Sequence, residues 1–190
     1  MRTNFSKTTL AVFFLLGLGR HAAADDFVID AAHSGVTFKI KHLDLSYVHG
    51  RFDKFSGSFT LDSSDPAKSS FKMNIRSDSI DTNNAGRDNH LRGPDFFNAK
   101  QFPAITFTST SVKPIEGGYE VTGDLTLHGE TKPITFSLKG GRTAQFQGAP
   151  RTGFSTELML KRSEFRIVKF PEMLGDEVYV SIGFEGAKKR

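Results

Sequence analysis

The feature that most restricts this chain is a period of two. Val36, Phe38, Ile40 and His42 fall on one face and Thr37, Lys39 and Lys41 on the other, while Phe71, Met73 and Ile75 alternate with Lys72, Asn74 and Arg76. The longest run sets Tyr119, Val121, Gly123, Leu125 and Leu127 against Glu120, Thr122, Asp124, Thr126 and His128. Phe59 with Leu61, Ile105 with Phe107, and Ile134 with Phe136 and Leu138 repeat the pattern. So do Phe154, Thr156, Leu158 and Leu160, then Phe165 and Ile167, and finally Val178, Val180, Ile182 and Phe184. Successive side chains of a strand point to opposite sides, so each run is a strand with one buried and one wet face.

Turn-forming stretches separate these runs: Asp62-Ser63-Ser64-Asp65-Pro66, Glu116-Gly117-Gly118, His128-Gly129-Glu130 and Gly148-Ala149-Pro150. The spacing predicts roughly eight strands or more. Residues 84–103 lack alternation and are expected to form one or two short helical turns, limited by Pro94. Many one-sided strands in a small chain leave two solutions, a two-sheet sandwich or a sheet closed on itself. Periodicity does not choose between them. With 19 Phe and no Trp, many of the Phe on the inward register, either solution has a Phe-rich interior.

The first residues read as an export signal. Arg2 and Lys7 precede the apolar run 10–18, and Ala22-Ala23-Ala24 offers a small-residue cleavage site, so residues 1–24 are expected to be removed and 25–190 to form one domain. The run is shorter than the about 20 apolar residues a spanning helix needs, which predicts an exported, soluble mature chain with no membrane-integral segment. Cleavage removes Arg2, Lys7 and Arg20 and no acid, so 25 basic against 21 acidic residues becomes 22 against 21. A near-neutral chain whose only basic run is Lys188-Lys189-Arg190 lacks the electrostatic footprint of a nucleic-acid binder. Without cysteine there is no disulfide framework and no thiolate metal site.

The segment Asp88-Asn89-His90-Leu91-Arg92-Gly93-Pro94-Asp95-Phe96-Phe97, followed by Phe102-Pro103-Ala104-Ile105-Thr106-Phe107, resembles the YceI-like family of bacterial periplasmic proteins. Ile29-Asp30 with His33-Ser34, Gly50-Arg51-Phe52, Phe55-Ser56-Gly57, and Gly123-Asp124-Leu125-Thr126-Leu127-His128-Gly129 with Lys132-Pro133-Ile134 agree with it. Arg162-Ser163-Glu164-Phe165 and Gly175-Asp176-Glu177-Val178 complete the set, and the likeness covers essentially the whole mature chain. Arg166 departs from it, standing where many members carry Gly. The resemblance implies an all-β, antiparallel, eight-stranded lipocalin-like barrel with a short helical insertion. It further implies a homodimer enclosing a polyisoprenoid, such as a prenyl diphosphate or prenylated quinone, with no cofactor beyond that lipid.

On that implication the inward register supplies the pore lining: Phe38, Ile40, Phe59, Met73, Ile75, Phe97, Phe107, Gly123, Leu125, Phe136, Leu158 and Leu160. Gly123 stands where a filled barrel would place a side chain. Glycine within a strand marks a bend or a close approach of something to the backbone, and the lipid is taken as that something. His42, Asp88, His90 and Arg92 are candidates to hold a polar head group, with Arg87 beside them, although capping and local ion pairing are the favoured reading of Asp88, His90 and Arg92.

Catalytic and metal chemistry find less support. Asp30, His33 and Ser34 suggest a hydrolase triad, but neighbours on a strand face opposite ways and no nucleophile-elbow motif is present. The histidines of the mature chain, His33, His42, His49, His90 and His128, show no metal-ligand spacing. The expected activity is therefore binding, with no catalytic residues and no metal. The competing classes are a secreted hydrolase or isomerase acting on a lipid in the same pore, and a filled barrel used through its outer face.

Overall fold

The computed structural model describes residues 24–189; the signal-like segment 1–23 lies outside them, so the expected cleavage falls at their edge. Within them the strands are β1 (Asp25–Ile29), β2 (Gly35–His42), β3 (Ser46–Phe52), β4 (Phe55–Leu61), β5 (Ser70–Arg76) and β6 (Ile80–Asp81). After the helix α1 (Ala85–Arg92) come β7 (Ala104–Ile115), β8 (Gly118–Leu127), β9 (Glu130–Phe146), β10 (Ala149–Lys161) and β11 (Leu174–Lys188).

The sheet closes on itself, which settles the choice that periodicity leaves open. Neighbours run β1-β4-β5-β7-β8-β9-β10-β11, and β11 returns to β1 through Ile29↔Gly186 and Phe27↔Lys188, completing an antiparallel ring of eight strands. The other three segments extend this ring. β2 continues β1 along the same edge of β11, β3 precedes β4 with only Asp53 and Lys54 between, and β6 follows β5 after one 3-10 turn. The barrel is thus built from eight long strands, the first three of them kinked.

The hairpins follow from local backbone chemistry. His128 (φ 52°) and Gly129 (φ 80°) are both left-handed, the two-residue turn whose twist suits flanking strands. The β9–β10 reversal falls at Gln147-Gly148, slightly before the expected Gly148-Ala149-Pro150, and Pro150 lies inside β10. This hairpin runs longer than alternation predicts because 142–148 project into solvent on both faces.

Among the described residues β6 has no strand on its far side, since β7 begins only at Ala104, opposite Arg76 of β5. The irregular segment fills that opening. Asn84 caps α1 by accepting a hydrogen bond from Arg87 N (2.9 Å), and Gly93 ends it just before Pro94. Two apolar clusters occupy the interior. One lies beneath α1 and includes Phe52, Ile80, Phe96, Leu127 and Phe165. The other, at the opposite end, is a set of rings: Phe59 stacks on Phe27 at 4.7 Å and meets Phe154 and Phe184 edge-on, each at 5.6 Å. Gly186 leaves the space that the Phe59 ring occupies.

Candidate functional site

Between the ring floor and the helical end the side chains do not meet. They leave an apolar cavity of about 450 Å³, within the range of small-molecule sites. Of the expected lining, Phe38 and Ile40 on β2, Phe59 on β4, Met73 and Ile75 on β5 and Phe107 on β7 all face it. Leu125 on β8, Phe136 on β9, Leu158 and Leu160 on β10, and Phe97 beyond α1 do so as well.

Gly123 is the exception. It is buried on the inner register of β8, but a Cβ there would collide with the Phe107 ring and with the Thr108 carbonyl. The close approach that its glycine permits is made by the protein's own phenyl ring from the neighbouring strand, a packing arrangement in which an aromatic covers a glycine.

The polar candidates divide in two. His42 and His90 border the cavity at its helical end, joined there by Arg87. Asp88 and Arg92 do not. The Asp88 carboxylate, buried, accepts hydrogen bonds from Thr82 N (2.9 Å) and Thr82 Oγ1 (2.6 Å). Burial pushes this carboxyl up, but those bonds and the Arg92 and Arg87 charges outweigh it and hold it below the usual aspartate value. Arg92 donates from Nε to Asp78 O (2.7 Å) and from Nη2 to Ile80 O (2.8 Å). Both residues fasten α1 to β6, so their places in the head-group set are corrected to structural ones. Arg87 also reaches Thr82, through Nε to Oγ1 (2.7 Å) and Nη2 to the carbonyl (2.8 Å), while remaining exposed at the cavity's edge. His90 Nε2 lies 3.0 Å from Asp95 Oδ2, and this hydrogen bond keeps the Asp95 carboxyl below its ordinary range.

Besides Ile29 on β1, Val48 and Phe52 on β3 and Ile80 on β6, two groups of cavity residues escape the period-two reading. Phe170, Met173 and Leu174 come from a segment with no alternation, whose only sign is an apolar sequence around Pro171. Arg162 is the other, and a signal for it was present: it continues Leu158 and Leu160 at the same spacing, which turns it inward. Its guanidinium, 7 % exposed, donates to four carbonyls, those of Gly175 (3.0 Å), Ile167 (2.9 Å), Lys169 (2.8 Å) and Leu174 (3.1 Å). Burial pushes its pKa down, and the charge of Asp176 partly offsets this. The segment that follows is folded over this one side chain, with Arg166 held in the left-handed region at φ 58°.

The triad candidates are at the other end of β2. His33 Nδ1 lies 2.9 Å from Asp30 Oδ2, but Ser34 Oγ donates to the Asp30 carbonyl (2.7 Å) and Arg151 pairs with the same carboxylate. The serine is engaged with backbone and not with the imidazole. Among the described residues no His, Asp or Glu cluster is placed to hold a metal ion, and no helix is long and apolar enough to cross a membrane.

A closed eight-stranded barrel with an apolar cavity, floored by rings and roofed by a helix, defines the class. The YceI-like domain model matches residues 27–186, and the chain belongs to that family. Protein YceI of Escherichia coli O17:K52:H18 is 41% identical over 172 residues, covering 89% of this chain and 90% of that protein. The crystal structure of Burkholderia cenocepacia BcnA superposes with a TM-score of 0.74 at 29% identity, over 83% of this chain and 98% of that one. A polyisoprenoid binding domain from Saccharophagus degradans, implicated in plant cell wall breakdown, shares the fold with a TM-score of 0.65 at 17% identity, over 86% of this chain and 98% of that one.

Proposed function

We propose that this protein binds a long isoprenoid lipid, a prenylated quinone or prenyl diphosphate, with its chain in the barrel cavity and its head group at the helical end. The observation that carries the reading is the cavity's asymmetry. Its lining is mostly aliphatic and aromatic, with Lys72 and a few hydroxyls along its strands, and the imidazoles of His42 and His90 stand with Arg87 toward the helical end. An apolar chain gains about 0.8 kcal/mol for each methylene withdrawn from water and needs no polar partner, while a head group needs a few placed donors to orient it. The name of the Saccharophagus degradans domain, which has the same fold, supports the ligand class. Export to the periplasm and assembly as a homodimer belong to the same reading, on the signal-like residues 1–24 and on the family resemblance.

The test is loading of the purified mature chain from detergent micelles with a polyprenyl quinone and, separately, a polyprenyl diphosphate. Saturable uptake of either is expected, and His42→Ala and Arg87→Ala are expected to change the preference between them while the fold persists. Arg92→Ala serves as the contrast: it should leave the preference alone and cost about 1–3 kcal/mol of stability by stranding two carbonyls. Absence of uptake refutes the reading, and an unchanged preference in both cavity-edge variants removes His42 and Arg87 from the head-group role.

A further inference from the structure

The apolar surface of the cavity does not end inside the barrel. Met173 borders the cavity yet is 39 % exposed, and around it Leu43, Val168 and Leu45 are 45, 60 and 82 % exposed. A hydrogen bond from Leu43 N to Met173 O (2.7 Å) ties the β2–β3 turn to the 166–173 segment, Leu174 pairs with His42, and Val168 shares a small recess with Leu174. These side chains therefore form one rim at the helical end. Large apolar side chains clustered on adjacent loops mark a surface that something covers.

The charges beside them narrow what that is. Lys41 pairs with Asp44 at 3.0 Å, and both His90 and Lys169 reach Asp95. With these charges paired and Arg166 held to Glu130, Glu172 is left as the one carboxylate of the 166–173 segment, too little charge to steer a charged protein partner. A lipid cargo, by contrast, must leave a bilayer, and an unbroken apolar path from the rim to the cavity lets its chain pass without crossing water.

We infer that the β2–β3 turn and the 166–173 segment dock on a phospholipid bilayer, with Leu43, Leu45, Val168 and Met173 entering its outer region while the cavity loads or unloads. This inference rests on the lipid-binding reading above. Because the attraction is apolar, a bilayer of uncharged net surface suffices, and added salt does not release the protein.

The test uses the full mature chain, with phosphatidylcholine vesicles carrying a polyprenyl quinone as donor. Neither Leu45 nor Val168 borders the cavity, so the double variant Leu45→Glu, Val168→Glu should load from detergent micelles as the wild type does. From vesicles the wild-type rate should rise with vesicle concentration, and the variant should load at least about tenfold more slowly, the loss expected when apolar side chains no longer leave water. Equal vesicle loading by the two proteins, or a wild-type rate independent of vesicle concentration, would overturn docking and leave lipid binding standing. A wild type that loads from neither source would overturn lipid binding itself. A variant that turns from dimer to monomer by light scattering assigns the rim to a second copy of the chain and also overturns docking.

Discussion

The Phe107 ring lies across the inner face of Gly123, in the space a Cβ would need. Gly123→Ala must displace that ring or the β7 backbone, and overpacking of this kind costs about 1–3 kcal/mol. Urea denaturation should show this loss, and because the Phe107 ring that must move lines the cavity, lipid per folded molecule should fall together with stability. A variant that is stable but empty of lipid would contradict the placement. The alternation legible in the sequence put Gly123 on the inner face correctly. What it could not reveal is the occupant of the gap, since the ring arrives from another strand in a register that only the folded sheet fixes. At the opposite end of the barrel Asp30 is held at about 2, well below its ordinary value, first by its hydrogen bond from Arg151 and then by that from His33. A carboxylate with a depressed folded-state pKa contributes stability above its unfolded value and loses it as pH falls through the folded one. Asp30→Asn should therefore lower the urea midpoint at neutral pH, with the gap to wild type narrowing between pH about 4 and about 2. A gap that stays constant across that range would show that the carboxylate charge is not what matters.

The longer strands were legible because each has one wet face; β1, β3 and β6 were not read from alternation, and Phe165 and Ile167, read as a strand, lie in a 3-10 turn and the coil after it. The tip of the β9–β10 hairpin is wet on both faces, and 166–173 is organised by a single buried guanidinium. Four carbonyls depend on Arg162, and leaving a buried acceptor unsatisfied costs about 1–3 kcal/mol each, reduced where water can reach it. Arg162→Met, which keeps much of the volume, should destabilise the fold by about 3 kcal/mol or more and raise amide hydrogen exchange selectively in 166–174. Uniform exchange throughout the barrel, or unchanged stability, would contradict the clamp. The helix α1 is secured differently, by Asp88 and Arg92 acting on Thr82, Asp78 and Ile80. Those residues were visible in sequence as a charged cluster, but a cluster gives no direction. Only the fold separates the charges that fasten the roof from those, Arg87 and His90, that border the cavity beneath it.

As a whole the molecule is a barrel sealed at one end by phenyl rings and open to adjustment at the other, where loops and one helix replace paired strands. Cavity size alone does not set affinity. Withdrawing a chain of about forty carbons from water at about 0.8 kcal/mol per methylene sums to more than about 30 kcal/mol, beyond the practical ceiling of roughly 18–21 kcal/mol for non-covalent binding. Ordering a flexible chain and competition from bilayers, where such a lipid is already out of water, consume the difference. The ligand must therefore persist through purification in water yet exchange at apolar surfaces. The most direct measurement is an organic extract of the protein, expressed from its full sequence and purified without detergent, analysed by mass spectrometry against protein amount. The account predicts one isoprenoid lipid in near-stoichiometric quantity, chemically unmodified. An extract containing no lipid, or only membrane phospholipid in the proportions of the host envelope, would contradict it.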